Sequence, residues 1–195
     1  MKKRRFLQAA MAGAAVGAPG VDAQHSSKVA AGPILLTVSG AIGTGNRGAL
    51  DRFDVMMARQ KIAFDRAHSF DFAALVSLRA VTIQPTLEYD DQRHTLKGPQ
   101  LAEVMKTCGA GATDRTSLHL RAVDGYAVQL AWPEVVERRY IVATHLDGRP
   151  MALGGLGPLW VVYDADRFAD MAARPVTERF ASCPWAAYHI DVKNA

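Results

Sequence analysis

The side chains able to act as nucleophiles or metal donors are few in this chain and scattered along it. There are two cysteines, Cys108 and Cys183, and six histidines, His25, His68, His94, His119, His145 and His189. A metal site built by one short segment needs donors at fixed local spacing, such as His-x-x-x-His on a helix face or Cys-x-x-Cys in a turn. Neither pattern occurs. His119, His145 and His189 fall on predicted strands, so they can meet only through tertiary structure, and separate core or surface histidines are the simpler reading. Asp90-Asp91 reads as a solvated turn rather than a metal pair. Arg138-Arg139 and Arg149 offer charge for an anion, although solvated loops account for them more simply. With no Cys-x-x-Cys pair and no Gly-x-Ser-x-Gly elbow, thiol exchange and serine hydrolysis have no local support.

Two glycine-rich stretches are the other places where backbone chemistry can occur. Gly154-Gly155-Leu156-Gly157-Pro158 turns sharply or lets another group approach closely. It feeds Leu159–Tyr163, a run rich in β-branched and aromatic residues that reads as a buried strand. A tight loop before a core strand is a common ligand cradle, which makes Gly154, Gly155 and Gly157 candidate pocket residues. Gly43-x-Gly45-x-x-Gly48 matches the dinucleotide spacing, but the polar Asp51-Arg52-Phe53-Asp54 follows instead of an amphipathic helix. A glycine-rich loop is the better reading there.

The first residues read as an export signal. Lys2, Lys3, Arg4 and Arg5 form a positive start, Phe6 to Gly20 a mildly apolar stretch, and Val21-Asp22-Ala23 a cleavage site after Ala23. The Lys3-Arg4-Arg5-Phe6-Leu7 order is similar to a twin-arginine signal in an imperfect register. The expected location is therefore periplasmic or secreted, with residues 24–33 as a flexible lead-in and 34–192 as one domain. The net charge of +4 belongs mostly to the leader, which holds four Lys/Arg and one Asp. The remainder is nearly neutral and gives no basis for nucleic-acid binding. The apolar stretch is too short for a stable membrane span.

Export bears on the cysteines. In an oxidising compartment an even count suits a disulfide. A Cys108–Cys183 bond would close a loop of about 75 residues, worth about 4 kcal/mol in the chain-entropy model. The alternative is a buried, inert Cys108 and a separate free Cys183.

The elements that must position these residues are short. Strands are expected at Ile34–Ser39, Val81–Ile83, Leu118–Val123, Tyr126–Trp132, Ile141–Leu146, Leu159–Tyr163 and Trp185–Val192, with a turn at Asp124-Gly125. Residues 54–58 suit a short strand or a turn of helix. Asp71 is a predicted N-cap for a helix through Leu78, with Phe72, Leu75, Val76 and Leu78 inward. Residues 98–109 form the clearest helix, with Pro99 in its first turn and Leu101, Val104, Met105 and Cys108 as one apolar stripe. Trp132, Trp160 and Trp185 read as core residues. Short strands with a few short helices, not alternating one to one, define an α+β fold with a mixed, mostly antiparallel sheet.

The order of three stretches resembles the oxidoreductase molybdopterin-binding domain, the catalytic-domain fold of sulfite oxidases, and within it small exported single-domain members. The stretches are Gly98-x-x-Leu101-x-x-Val104-Met105 with Cys108-Gly109-Ala110; Leu120-Arg-Ala-Val-Asp-Gly-Tyr126 with Asp147-Gly-Arg-Pro-Met151; and Gly157-Pro-Leu-Trp-Val-Val-Tyr163 with Trp185 and Ile190-Asp-Val192. The resemblance implies a molybdopterin cofactor whose metal is also held by one cysteine thiolate, placed shortly before the Gly-x-x-Leu stretch. Here residues 81–97 contain no cysteine, and Pro85 or Thr86 occupies the expected place. The implied function is thus a domain more suited to carry no cofactor, acting on a small, anionic ligand or on a membrane-bound signalling partner. The alternative is an active molybdopterin oxidoreductase with a different metal ligation.

Overall fold

Strand β1 (Ile34–Gly40) lies at the centre of a six-stranded sheet ordered β2-β3-β1-β12-β6-β7. Its neighbours are β3 (Arg66–Asp71), antiparallel, and β12 (Ala187–Asn194), parallel, so the two ends of the domain lie side by side. The other pairs are antiparallel: β2 (Arg47–Gly48) on β3, and the meander of β12, β6 (Thr116–Ala122) and β7 (Ala127–Ala131). Alternate burial along β6 shows why the sequence pattern works: Thr116, Leu118, Leu120 and Ala122 are buried while the residues between them are more exposed. This computed structural model describes residues 32–43 and 45–194. The export signal assigned to residues 1–23 and most of the lead-in lie outside them.

A second sheet, ordered β10-β9-β5-β4, comprises β4 (Ala80–Ile83), β5 (Leu96–Pro99), β9 (His145–Leu146) and β10 (Arg149–Pro150). Between the sheets, β8 (Ile141–Ala143) pairs with β11 (Trp160–Val162), and all six residues are buried. One core joins the inner face of the main sheet (Leu36, Val38, Leu118, Leu120, Leu130, Ile190) to β8, β11 and the stripe Leu101, Val104, Met105 and Cys108. A smaller cluster of Met57, Ile62 and Tyr188 lies apart from it. The mixed, mostly antiparallel α+β class is therefore observed.

The helices are short: α1 (Val55–Arg59), α2 (Phe72–Ser77), α3 (Leu101–Thr107), α4 (Trp132–Glu137) and α5 (Ala169–Ala172). Asp71 caps α2 as expected, its carboxylate accepting from the Ala74 N–H at 2.7 Å. Val76, expected inward, is exposed, because so short a helix buries only the Leu75 side. Three boundaries also differ from the sequence reading. Pro99 ends β5 rather than starting a helix; β9 pairs only with Leu96 and Lys97, so the missing N–H costs no ladder bond on that side. The expected strand 141–146 is split at Thr144, whose N–H turns to the Lys97 carbonyl, and its halves join different sheets. Trp132 begins α4 instead of ending a strand, and Pro133 is the cue, since proline suits a first helical turn.

Candidate functional site

The window that the resemblance assigns to the metal-ligating cysteine connects β4 to β5. Pro85 is buried there and offers no donor. Thr86 spends both its donors on one carboxylate oxygen: its N–H and its hydroxyl each lie 2.8 Å from Asp166 Oδ2. The other oxygen of Asp166 accepts from Arg179 Nη1 at 2.8 Å, and Arg179 also donates to the carbonyls of Ala172 and Arg174. This ties the window to the segment after β11. Asp166→Ala leaves a guanidinium and two Thr86 donors without their acceptor, and is expected to cost about 3 kcal/mol in urea unfolding. Thr86→Val removes one hydroxyl bond and is expected to cost about 1 kcal/mol.

A thiolate-held metal does not fit these residues. Neither Pro85 nor Thr86 can supply sulfur, and Thr86 is committed to Asp166. Cys108 and Cys183 are separate free thiols buried in the core, so the disulfide pairing is not made. Burial pushes both thiols up to about 12, far from thiolate at neutral pH. Among the described residues no group of three or more His, Cys, Asp or Glu is placed to hold a metal ion.

The glycine loop also differs from a cradle that faces this window. Gly155 lines an open groove of about 550 Å³ with Leu146, Asp147, Arg149 and Met151. Neither Pro85 nor Thr86 lines that groove. Gly157 serves packing: a Cβ there would lie 2.5 Å from Met151 Cβ and 2.6 Å from the Met151 carbonyl oxygen. Gly154, with φ of +96°, only turns the chain.

A cavity of about 230 Å³ opens beside β4. Its wall comprises Val81, Thr82 and Ile83 of β4, Gln100, Glu137, Arg138 and Arg139 at the end of α4, and Asp164, Arg167 and Phe168 after β11, so it carries two carboxylates as well as three arginines. Two of these residues carry buried polar atoms with no hydrogen-bond partner, Arg138 Nη1 and Asp164 Oδ1. Orphaned buried polar atoms are rare because each forfeits its solvation. Asp164 is 8 % exposed. Its other oxygen accepts only a long bond, 3.4 Å, from the Gln84 N–H. Arg138 is held firmly. Nη2 lies 2.7 Å from Asp170, Nε 3.6 Å from Glu134, and the guanidinium covers the Tyr163 and Phe168 rings at 5.3 and 5.4 Å. Arg138 is thus a positioned cation, not the solvated loop residue its sequence neighbourhood suggests. The reason is α4, which places it over the aromatic residues flanking Asp164. Asp164 gave little sequence signal: it follows the apolar run ending at Tyr163, but Asp166 and Arg167 come straight after Ala165, so the stretch reads as an ordinary polar turn.

The remaining candidates are spread out. His94 lies between two carboxylates, Nδ1 2.7 Å from Asp147 and Nε2 2.9 Å from Asp90, which raise its pKa above the usual value. Asp90 is therefore part of a tie rather than a purely solvated turn. His145 stands apart beside Phe72, whereas His119 and His189 share one cavity on the main sheet. Trp160 is fully buried and donates to the Cys183 carbonyl at 2.9 Å, but Trp185, expected in the core, is 39 % exposed. The core beneath it is filled by Trp160 and Phe180, whose rings pack 5.7 Å apart. Among the described residues no helix is long and apolar enough to cross a membrane. No family model matches this chain, and no curated protein matches it by sequence.

Proposed function

We propose that this protein is an exported single-domain ligand-binding module, built on a fold of the sulfite oxidase catalytic-domain type but without its thiolate-held metal. Its ligand occupies the cavity between β4, the end of α4 and the segment after β11. The observation that carries this reading is that two residues lining that cavity, Arg138 and Asp164, each hold a buried polar atom without a partner, Nη1 and Oδ1. A fold leaves such atoms without partners at a cost, and a ligand that supplies both partners recovers it. The ligand then has an anionic or carbonyl acceptor for Arg138, a polarised N–H or O–H donor for Asp164, and a small apolar body against Val81, Ile83 and Phe168. Free amino acids and hydroxy acids are the simplest molecules with both ends. The absence of sulfur in the window 81–97, and the commitment of Thr86 to Asp166, support a binding role over redox catalysis.

The test is a thermal-shift and calorimetric screen of amino acids, hydroxy acids and simple carboxylates against the secreted protein. At least one class with both ends is expected to bind. Asp164→Asn should weaken that binding by about tenfold or more while leaving the thermal midpoint equal or higher, because it relieves an unpartnered carboxylate. Equal binding by Asp164→Asn would refute the site. Stoichiometric molybdenum and pterin in protein purified from a cofactor-competent host would instead establish the oxidoreductase.

A further inference from the structure

The face of the main sheet opposite the core carries a second cavity, of about 390 Å³, that the ligand site above does not use. His189 and Asp191 of β12, His119 and Arg121 of β6, Gln129 of β7, and Lys61 in the connection after α1 line it, with Lys193 at its edge. Asp191 is the only carboxylate in this lining, and Lys193 already neutralises it at 2.7 Å. Arg121 and Lys61 form no ion pair among the described residues. Three cations against one carboxylate leave the wall two charges positive.

His189 gives this wall an unusual floor. It is 3 % exposed, and its Nε2 lies 2.9 Å from Ser39 Oγ, itself buried on the adjacent parallel strand. The Phe64 ring stacks on it at 6.1 Å with 13° between the planes. A buried imidazole held on one side by a hydroxyl and on the other by a ring has its orientation set before any ligand arrives.

We propose that this cavity binds a phosphate group, free or carried on a small organic molecule, with Arg121 and Lys61 as its charged contacts and the His189 side as its floor. The double positive charge of the wall matches a dianion, and arginine suits the planar, paired recognition of phosphate oxygens. Burial, chiefly, and the Arg121, Lys193 and Arg47 charges lower the His189 pKa, while Asp191 raises it. The other groups facing this ring are His119 and Lys61 across the cavity, the Ser39 hydroxyl and the neighbouring Tyr188 ring. A bound anion offsets those cations, so by linkage it must raise the His189 pKa, and protonation of His189 must tighten the anion.

The experiment is titration of the folded protein with inorganic phosphate and, separately, with glycerol phosphate, in constant chloride. Calorimetry reads binding, and histidine ring NMR signals read the His189 pKa. Saturable binding of either compound in the millimolar range or tighter is expected, with the His189 pKa raised in the bound state. Binding of the ester at least as tight as that of the free ion assigns the site to a phosphate carried on an organic molecule. Binding of the free ion alone assigns it to inorganic phosphate. Arg121→Gln should weaken binding by about tenfold, the effect of losing one charge-assisted contact, while Arg79→Gln should not change it. No saturable binding of either compound, or full binding by Arg121→Gln, overturns the proposal. Because neither residue lines the Arg138–Asp164 cavity, the outcome is independent of the function proposed there.

Discussion

Gly98→Ala should prevent this domain from folding at ordinary temperatures. Gly98 lies in β5, where the strand crosses directly over β8. A methyl group built on its Cα would lie 1.9 Å from the Val142 carbonyl oxygen, 2.7 Å from its carbonyl carbon and 2.9 Å from Ala143 Cα. All three are backbone atoms of a strand buried on both faces, so no side chain can rotate away. The crossing is also held by hydrogen bonds on either side of Gly98: the Thr144 N–H donates to the Lys97 carbonyl at 2.9 Å, and the Leu101 N–H to the Tyr140 carbonyl at 2.8 Å. Relief of the clash means separating β5 from β8 and losing these bonds, with an expected cost above about 4 kcal/mol. Gly111→Ala is the control, since nothing lies within 4 Å of a Cβ there. Soluble expression and urea unfolding of the two variants decide the matter; a folded Gly98→Ala protein with near wild-type stability would show that the strands do not cross this closely.

Stability should also fall in mild acid, before the carboxylates titrate. His189 has a pKa lowered from 6.5 to about 4, first through burial and then through the nearby cations Arg121, Lys193 and Arg47, with Asp191 acting in the opposite direction. In the unfolded chain this histidine takes up its proton near pH 6.5; in the fold it resists until about pH 4. The unfolded state therefore binds more protons between these values, and stability rises with pH across that window. The contribution is complete above pH 6.5 and is lost as the pH falls to about 4, amounting to about 3 kcal/mol. His94 has the opposite sign. Its pKa is raised by Asp147 and Asp90, so its contribution is present below pH 6.5 and disappears as the pH rises through its folded value. That tie is partly solvent-exposed and contributes less. Asp54, Asp90, Asp147 and Asp170 have lowered pKa values, so their contributions disappear only in stronger acid. Urea unfolding at steps from pH 7.5 to 4.5 should show the decline, and His189→Gln should flatten it. A flat wild-type profile, or an unchanged slope in the variant, would assign the acid response elsewhere.

These two residues show how far the sequence could be read. Gly98 was legible as the start of a stretch ending at Leu101, Val104, Met105 and Cys108, whose helical spacing matches their burial. Its actual task, yielding space to another strand, was not legible, because the clash is with Val142 and Ala143, which no local pattern links to it. His189 was legible as a histidine on a strand. Its lowered pKa comes chiefly from burial, and the Ser39 hydroxyl beside it, 150 residues earlier, becomes its neighbour only through the parallel β1–β12 pairing.

The sequence by itself determined what depends on neighbours along the chain. The alternation of β6, the Asp71 cap, the turn at Asp124-Gly125, the apolar stripe of α3 and the lack of sulfur in residues 81–97 are all of this kind. Local geometry has fixed periods, so residue spacing alone reveals them. Only the tertiary structure decided which polar groups lack partners and where charge collects. It directed Thr86 toward Asp166, 80 residues away, left Nη1 of Arg138 and Oδ1 of Asp164 unpaired in two residues that line one cavity, and gathered Lys61, Arg121 and His189 around another. Strand order and register bring such groups together, and these are set by the burial of apolar faces rather than by the polar residues themselves.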